Sequence, residues 1–290
     1  MNLMKMKNNE NKETNNLPSI EEERSSLINT TKKIMNDSIL INVENVSKVY
    51  SKKTLHGTEK FYANDNVSLV IKRGERVGII GANGAGKTTL VEMIAGLRTV
   101  TSGEIQYNFL GMREGKSSKE CIGLQFQNNL YPEGIKVKNI LDYFINVFEL
   151  DSNKIYGEYA KVFQLTTLLN KYANNLSGGQ KQRLNALTSI MHHPELIILD
   201  EISTGLDIFA RHEITTFISR TLEQFNLTLI AISHNMPEIE QLCDRVITIH
   251  KGKILYDEPL SKIIKEHGSL QVYVDKYFDK YGNEIEIGAE

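Results

Sequence analysis

The sequence predicts an α/β fold, with a parallel core sheet and an inserted helical subdomain. Three observations carry that reading. Short runs rich in β-branched residues recur at Arg76–Ile80, Leu196–Leu199, Thr228–Ile232 and Arg245–His250. Between them lie longer stretches whose apolar residues follow helical spacing, at Thr88–Leu97 and from Val137 to Leu169. A glycine-rich turn, Gly81–Lys87, joins the first of these strands to the first helix. Strands alternating with helices give a parallel sheet, and the all-helical stretch interrupts that alternation as an insert.

Each element follows in order. Residues 1–38 are rich in Asn, Lys, Glu and Ser, and bury too little apolar surface to offset the entropy of ordering, so they are expected to be disordered. Within them, Ser25–Ile34 has the spacing of a short helix. Order begins at Ile39, with strands expected at Ile39–Val43 and Val67–Ile71. The helix at Thr88–Leu97 carries Leu90, Ile94 and Leu97 on one face. Gly103–Tyr107 reads as a strand, followed by a polar loop at Gly111–Lys119. In the insert, Ile140, Leu141, Phe144, Ile145 and Phe148 form one stripe that reads as core. From Gly268, Leu270, Tyr273, Val274, Tyr277, Phe278 and Tyr281 form an amphipathic helix expected to pack back onto the domain.

Composition narrows the function classes. The 290 residues are 40% hydrophobic and 24% charged, with a formal net charge of −2, so no basic excess points to nucleic acid. Cys121 and Cys243 have no CxxC spacing, which fits a reducing compartment better than a disulfide framework or a zinc site. No apolar run reaches the roughly 18–20 residues that span a bilayer, and the N-terminus lacks the apolar segment of a secretory signal. A role at a membrane therefore requires recruitment by another chain.

The chemistry begins at Gly81-Ala82-Asn83-Gly84-Ala85-Gly86-Lys87-Thr88, which matches G-x-x-x-x-G-K-[ST] at every fixed position. Glycines let the backbone turn its N–H groups inward around a phosphate, and the helix that follows adds the positive end of its dipole. Lys87 suits the β- and γ-phosphates of ATP, and the Thr88 hydroxyl suits Mg²⁺. A second element, Leu196-Ile197-Ile198-Leu199-Asp200-Glu201, is an apolar strand ending in two carboxylates. Alone it reads equally as a strand end with solvated acids. Beside a phosphate loop, Asp200 fits a Mg²⁺ ligand, direct or through water, and Glu201 a group that polarises the attacking water.

Leu176-Ser177-Gly178-Gly179-Gln180 stands 20 residues before Leu196 and is the most specific motif in the chain. Ser177 and the glycines suit a helix N-terminus, whose free N–H groups bind phosphate. With this motif the chain resembles the nucleotide-binding subunits of ABC transporters, over roughly Ile39 to Ile264. The resemblance implies a RecA-like P-loop NTPase core with an ABC-type antiparallel β subdomain and a helical subdomain at about 128–176. It frames the chain as a tail at 1–38, a nucleotide-binding domain at 39–264 and a helical extension at 265–290. Other motifs follow in family order. Gln127 resembles the glutamine that contacts Mg²⁺ and the attacking water, Ser203–Asp207 the D-loop, and His234 the switch histidine at the γ-phosphate. Tyr50 resembles the aromatic residue that stacks on adenine, with Phe61 and Tyr62 competing for the role. Ile202 departs from the family, where many members carry proline, without changing any proposed ligand.

The resemblance further implies two chains paired head to tail, as a homodimer or with a close paralogue. Each ATP lies between the Gly81–Thr89 segment of one chain, Thr89 included, and Ser177, Gly178, Gly179 and Gln180 of the other. A separate transmembrane permease would complete a transporter, placing this chain in the cytoplasm, peripheral to the inner face of the membrane and without direct nucleic-acid contact. Leu130–Val137 resembles the corresponding segment of many exporter subunits, which favours export. Leu130, Tyr131 and the Ile140–Phe144 face are expected to form the groove that receives the permease. The alternative is a soluble ABC-type ATPase acting on DNA or ribosomes. Against it, 90 residues between Lys87 and Ser177 leave no room for a long coiled coil, and one nucleotide unit is present where ribosome-associated members carry two. A binding module without hydrolysis is opposed by Lys87, Glu201 and His234.

Overall fold

The computed structural model describes residues 38–54, 57–125, 131–203 and 206–281. Residues 1–37 of the expected tail, Gln127 and Leu130, Thr204 and Gly205 of the D-loop motif, and residues 282–290 of the expected C-terminal extension lie outside the described residues. In chain order come β1 (Ile39–Thr54), β2 (Gly57–Lys72), β3 (Arg76–Ile80), α1 (Lys87–Ile94), β4 (Ser102–Tyr107), β5 (Ile122–Gln125) and α2 (Val137–Val147). Then follow α3 (Gly178–Ile190), β6 (Leu196–Asp200), α4 (Ile208–Phe225), β7 (Thr228–Ile232), α5 (Met236–Leu242), β8 (Arg245–His250), β9 (Lys253–Pro259), α6 (Leu260–His267) and α7 (Leu270–Tyr281).

The strands form two sheets. One has the order β5-β6-β7-β3-β8-β9, in which neighbouring pairs are parallel except for the antiparallel β8–β9 edge. The other is antiparallel, in the order β2-β1-β4. Both faces of the parallel sheet are covered. Ile197, Leu199, Leu229 and Ala231 pack with α3, α4 and α5, whereas Leu196, Ile198 and Ile230 pack with α1 and the antiparallel sheet. That is why these strands read as unbroken apolar runs rather than as alternation.

β3, β7 and β8 occupy the predicted segments. β1 and β2 run far beyond the two expected apolar runs, because their far ends, around Tyr50–Ser51 and Glu59–Tyr62, are solvent-exposed and carry no hydrophobic pattern. β5 has only four residues, one of them Gly123, and β9 is a half-exposed edge strand, so neither gives a strand signal. The polar loop at Gly111–Lys119 contains helical turns at Leu110–Arg113 and Ser118–Cys121.

The helical insert is broken rather than continuous. After α2 the chain turns at Glu149 with φ 52°, continues through short turns that include a π-helical Ile155–Tyr159, and turns again at Gln164 with φ 54°. Ile140, Leu141 and Ile145 are buried as expected for core. Tyr131 departs from the expected groove, whose Leu130 lies outside the described residues. Tyr131 points inward, its hydroxyl donating to Asn185 on α3, and burial pushes that hydroxyl up to about 12. Tyr143, within the Ile140–Phe144 segment assigned to that groove, is exposed.

α7 packs back against the sheet through buried Leu270, Val274 and Tyr277. The Tyr277 hydroxyl lies 2.6 Å from His250 Nδ1, and the Tyr273 hydroxyl 3.0 Å from Thr248 Oγ1, both on β8. The Leu270 N–H donates to Glu240 on α5 at 2.6 Å.

Candidate active site

β3 ends in the phosphate loop, and two close backbone approaches explain its glycines. A Cβ on Gly81 would lie 2.2 Å from the Ile249 carbonyl oxygen, and one on Gly86 would lie 2.1 Å from that of Ala63. Both also have positive φ, at 148° and 102°, where side chains are strained. Gly86 leads into α1, whose first N–H groups carry no side-chain cap and face an incoming anion. The carbonyl of Gly86 accepts from Asn64 Nδ2 at 3.2 Å, a support from β2 that no sequence motif signals.

Lys87 is buried and turned onto its own loop, donating to the carbonyls of Gly81 at 2.8 Å and Ala82 at 3.0 Å. Burial lowers its ammonium from the ordinary lysine value, against the opposing pull of Glu201 and Asp200. A cation held so, close to two acids, is ready to exchange carbonyl partners for phosphate oxygens.

Asp200 ends β6 and is buried, and burial together with the Glu201 charge pushes its carboxyl up to about 6. Glu201 lies one residue beyond, at φ 51°, in the left-handed region that non-glycine residues seldom occupy. Its N–H donates to the Ile232 carbonyl at 2.9 Å, which joins the ends of β6 and β7. His234 follows β7, and its Nε2 lies 3.3 Å from Glu201 Oε1. Ile202, where the family often has proline, is buried in the core and anchors the loop by packing.

One cleft of about 290 Å³ collects most of these groups. Its walls include Asn83–Thr89, Glu201 and His234. Tyr50 and Phe61 line its outer end and pair across β1 and β2, whereas Tyr62 is not among the lining residues. The Tyr50 hydroxyl accepts from Arg98 at 2.5 Å, and the guanidinium stands 5.6 Å from the ring centroid.

The Leu176–Gln180 motif lies elsewhere. Ser177 caps α3, its Oγ accepting from the Gln180 N–H at 3.3 Å while Gln180 Oε1 accepts from the Ser177 N–H at 3.2 Å. Ser177, Gly178, Gly179 and Gln180 line a separate cleft of about 380 Å³, with Leu206 and Asp207 of the D-loop motif on its other side. A Cβ on Gly178 would lie 2.4 Å from Leu206 Cδ2, so the glycine lets α3 sit against that loop. Gln125, at the end of β5, hydrogen-bonds Gln182 on α3 and ties the strand that leads toward Gln127 to the same helix.

Comparison with known proteins agrees with this architecture. The family pattern described as ABC transporter matches residues 64–204. A methionine import ATP-binding protein, MetN of Bacillus cereus, is 31% identical over 236 residues, covering 78% of this chain and 68% of the relative. The phosphonates import ATP-binding protein PhnC of Lactococcus lactis is 34% identical over 245 residues, covering 78% of this chain and 96% of the relative. A solved dimer of an ATP-binding cassette in a post-hydrolysis state, bound to ADP and Pi, superposes with a TM-score of 0.64 at 28% identity, covering 76% of this chain and 98% of that one. The chain thus belongs to the ABC transporter family as an ATP-binding, ATP-hydrolysing subunit.

Proposed function

We propose that this chain hydrolyses Mg-ATP as one half of a head-to-tail pair and drives transport through a separate transmembrane permease. The separation of the two clefts carries this reading. The phosphate loop, Glu201 and His234 line one cleft, and the Leu176–Gln180 motif lines another. An anion-binding helix start apart from its own chain's phosphate loop finds a phosphate when a second subunit presents one. Closing the pair then surrounds the γ-phosphate from two sides, which is catalysis by positioning and electrostatics.

Within the pair, Gly81 and Asn83–Thr89 cradle the phosphates, and Lys87 neutralises them. Tyr50, with Phe61 beside it, offers the adenine a ring face. Glu201 orients the water, and His234 holds the γ-phosphate side of the cleft; the family motif gives Gln127 a role toward Mg²⁺ and the water. The residues fit a magnesium ion. Asp200 is a carboxylate that burial and the neighbouring Glu201 charge hold above its ordinary value, a cost that a cation would relieve, and Thr88 is exposed and lines the cleft. Mg²⁺ is held by few protein oxygens beside phosphates and waters rather than by a protein cage, so Thr88 and Asp200 suit its protein side, and the family motif adds Gln127. When bound, the ion would supply positive charge that offsets the charge of the phosphates.

Among the described residues no helix is long and apolar enough to cross a membrane; the proposed permease would hold the chain at the inner face. The expectation of export from Leu130–Val137 finds no support among the relatives, since MetN and PhnC are named as import proteins.

Glu201→Gln tests the chemistry. Mg-ATP binding is retained, turnover falls at least about a hundredfold, and ATP-bound pairs accumulate in size-exclusion chromatography. Ser177→Arg in the same background keeps monomer affinity and abolishes pairing. Rapid turnover by Glu201→Gln, or a large loss of monomer affinity in Ser177→Arg, refutes the reading.

A further inference from the structure

Glu238, in the first turn of α5, is 3% exposed and lies outside both clefts described above. Its Oε2 accepts two hydrogen bonds, from Ser203 Oγ at 2.7 Å and from Ser233 Oγ at 2.8 Å. These serines, 4% and 5% exposed, belong to different loops. Ser203 follows Glu201 by two residues, and Ser233 immediately precedes His234. Ser233 Oγ also accepts from the Asn235 N–H at 3.0 Å, which leaves its own proton for Glu238 and ties the turn that carries His234.

Stability alone does not account for a carboxyl here. Its neighbours Met236, Ile239 and Leu242 are all buried apolar residues. Burial pushes the Glu238 carboxyl above its ordinary value, and the two serine hydroxyls and the Arg211 charge offset part of that cost. Buried ionisable groups can often be replaced by apolar residues of similar volume without loss of stability. What the carboxyl adds is a point of attachment shared by two loops.

Those two loops need one. The ladder between β6 and β7 pairs Asp200 with Ile232, and the last backbone bond across it runs from the Glu201 N–H to the Ile232 carbonyl. Past that point Glu201 and His234 leave on separate turns, yet their side chains stand 3.3 Å apart. We infer that Glu238 is a positioning residue, clamping the loop after Glu201 to the loop before His234 and so setting the spacing of the two side chains at the γ-phosphate. The inference rests on the roles proposed above for Glu201 and His234. On the Ser203 side the clamp continues toward the second cleft, because the Leu206 N–H donates to the Ser203 carbonyl at 3.2 Å and Leu206 packs against Gly178 of α3.

The test uses the full chain. The triple variant Ser203→Ala/Ser233→Ala/Glu238→Leu removes the clamp together with its donors, so no stranded hydroxyl burdens the fold. Glu238→Gln keeps an amide oxygen able to accept both hydroxyls. In the triple variant ATP affinity and KM stay within about threefold of wild type, while kcat falls at least about tenfold, inside the ~100-fold that a 1 Å misplacement costs. Its melting temperature stays within a few degrees of wild type. Glu238→Gln keeps kcat within about threefold. Wild-type kcat in the triple variant, or a glutamine variant as slow as the triple, overturns the clamp. Should the triple variant not fold, Ser203→Ala decides alone: kcat must fall at least about threefold with melting unchanged, and an unchanged kcat overturns the proposal. Glu201→Gln runs alongside. If it turns over ATP normally, the assignment of the site has failed. If it stops turnover while the triple variant stays fast, only the clamp has failed.

Discussion

Replacing Gly81 with alanine acts on fold and site through one contact. The new Cβ would lie 2.2 Å from the Ile249 carbonyl oxygen and 3.5 Å from Ala85 Cβ. Ordinary carbon–oxygen approaches run about 3.3–3.6 Å, so the loop must back away from β8 by roughly 1 Å. The oxygen belongs to backbone in a strand paired with both β3 and β9, so the strand cannot yield locally. Alanine at φ 148° adds backbone strain of about 1–3 kcal/mol. For a domain of this size each kcal/mol lowers the melting temperature by about 2–4 °C, so a fall on the order of 2–12 °C is expected. Function falls further than stability. Lys87 hangs from the carbonyls of Gly81 and Ala82, and a roughly 1 Å displacement at reacting groups costs about a hundredfold in rate. Thermal melts of the nucleotide-free chain and steady-state ATP turnover read the two effects separately. Gly81→Ala melting within 2 °C of wild type, with turnover within about threefold, would refute the close-approach argument.

Two further outcomes follow from the same structure. The Asp200 carboxyl, at about 6 against an ordinary 3.8, holds its proton more tightly in the folded chain, so its cost to stability grows between about pH 4 and pH 6 and is complete above that window. Asp200→Asn should therefore melt above wild type at about pH 7.5 without nucleotide, with the gap closing by about pH 4; calorimetry showing the variant less stable at neutral pH counts against this. Tyr277→Phe removes the hydroxyl 2.6 Å from His250 Nδ1 and should cost about 1 kcal/mol in urea unfolding, whereas an unchanged midpoint would mean that this contact adds nothing to the hold on α7.

The sequence by itself determined whatever the chain states locally. Gly81–Thr88 requires a backbone that only glycine permits at its close approaches. Leu176–Gln180 contains its own helix cap, and Arg76–Ile80, Thr228–Ile232 and Arg245–His250 are apolar enough to be strands buried on both faces. Sequence periodicity likewise placed Leu270, Val274 and Tyr277 on one helix face, the face that is buried. Only the tertiary structure decided what depends on partners distant in the chain. The order β5-β6-β7-β3-β8-β9 brings Glu201 and His234 together from adjacent strand ends, although 33 residues separate them. The far ends of β1 and β2 are held by hydrogen bonds rather than by buried side chains, so no hydrophobic pattern could announce them, and with them Phe61 reaches the cleft beside Tyr50. Tyr131 looks like a surface aromatic in sequence because its partner, Asn185, lies 54 residues away on another helix. Glu238 carries no signal at all. A lone acid after a strand is ordinary until folding buries it between Ser203 and Ser233, where leaving two hydroxyls unpaired would be costly and one shared oxygen satisfies both.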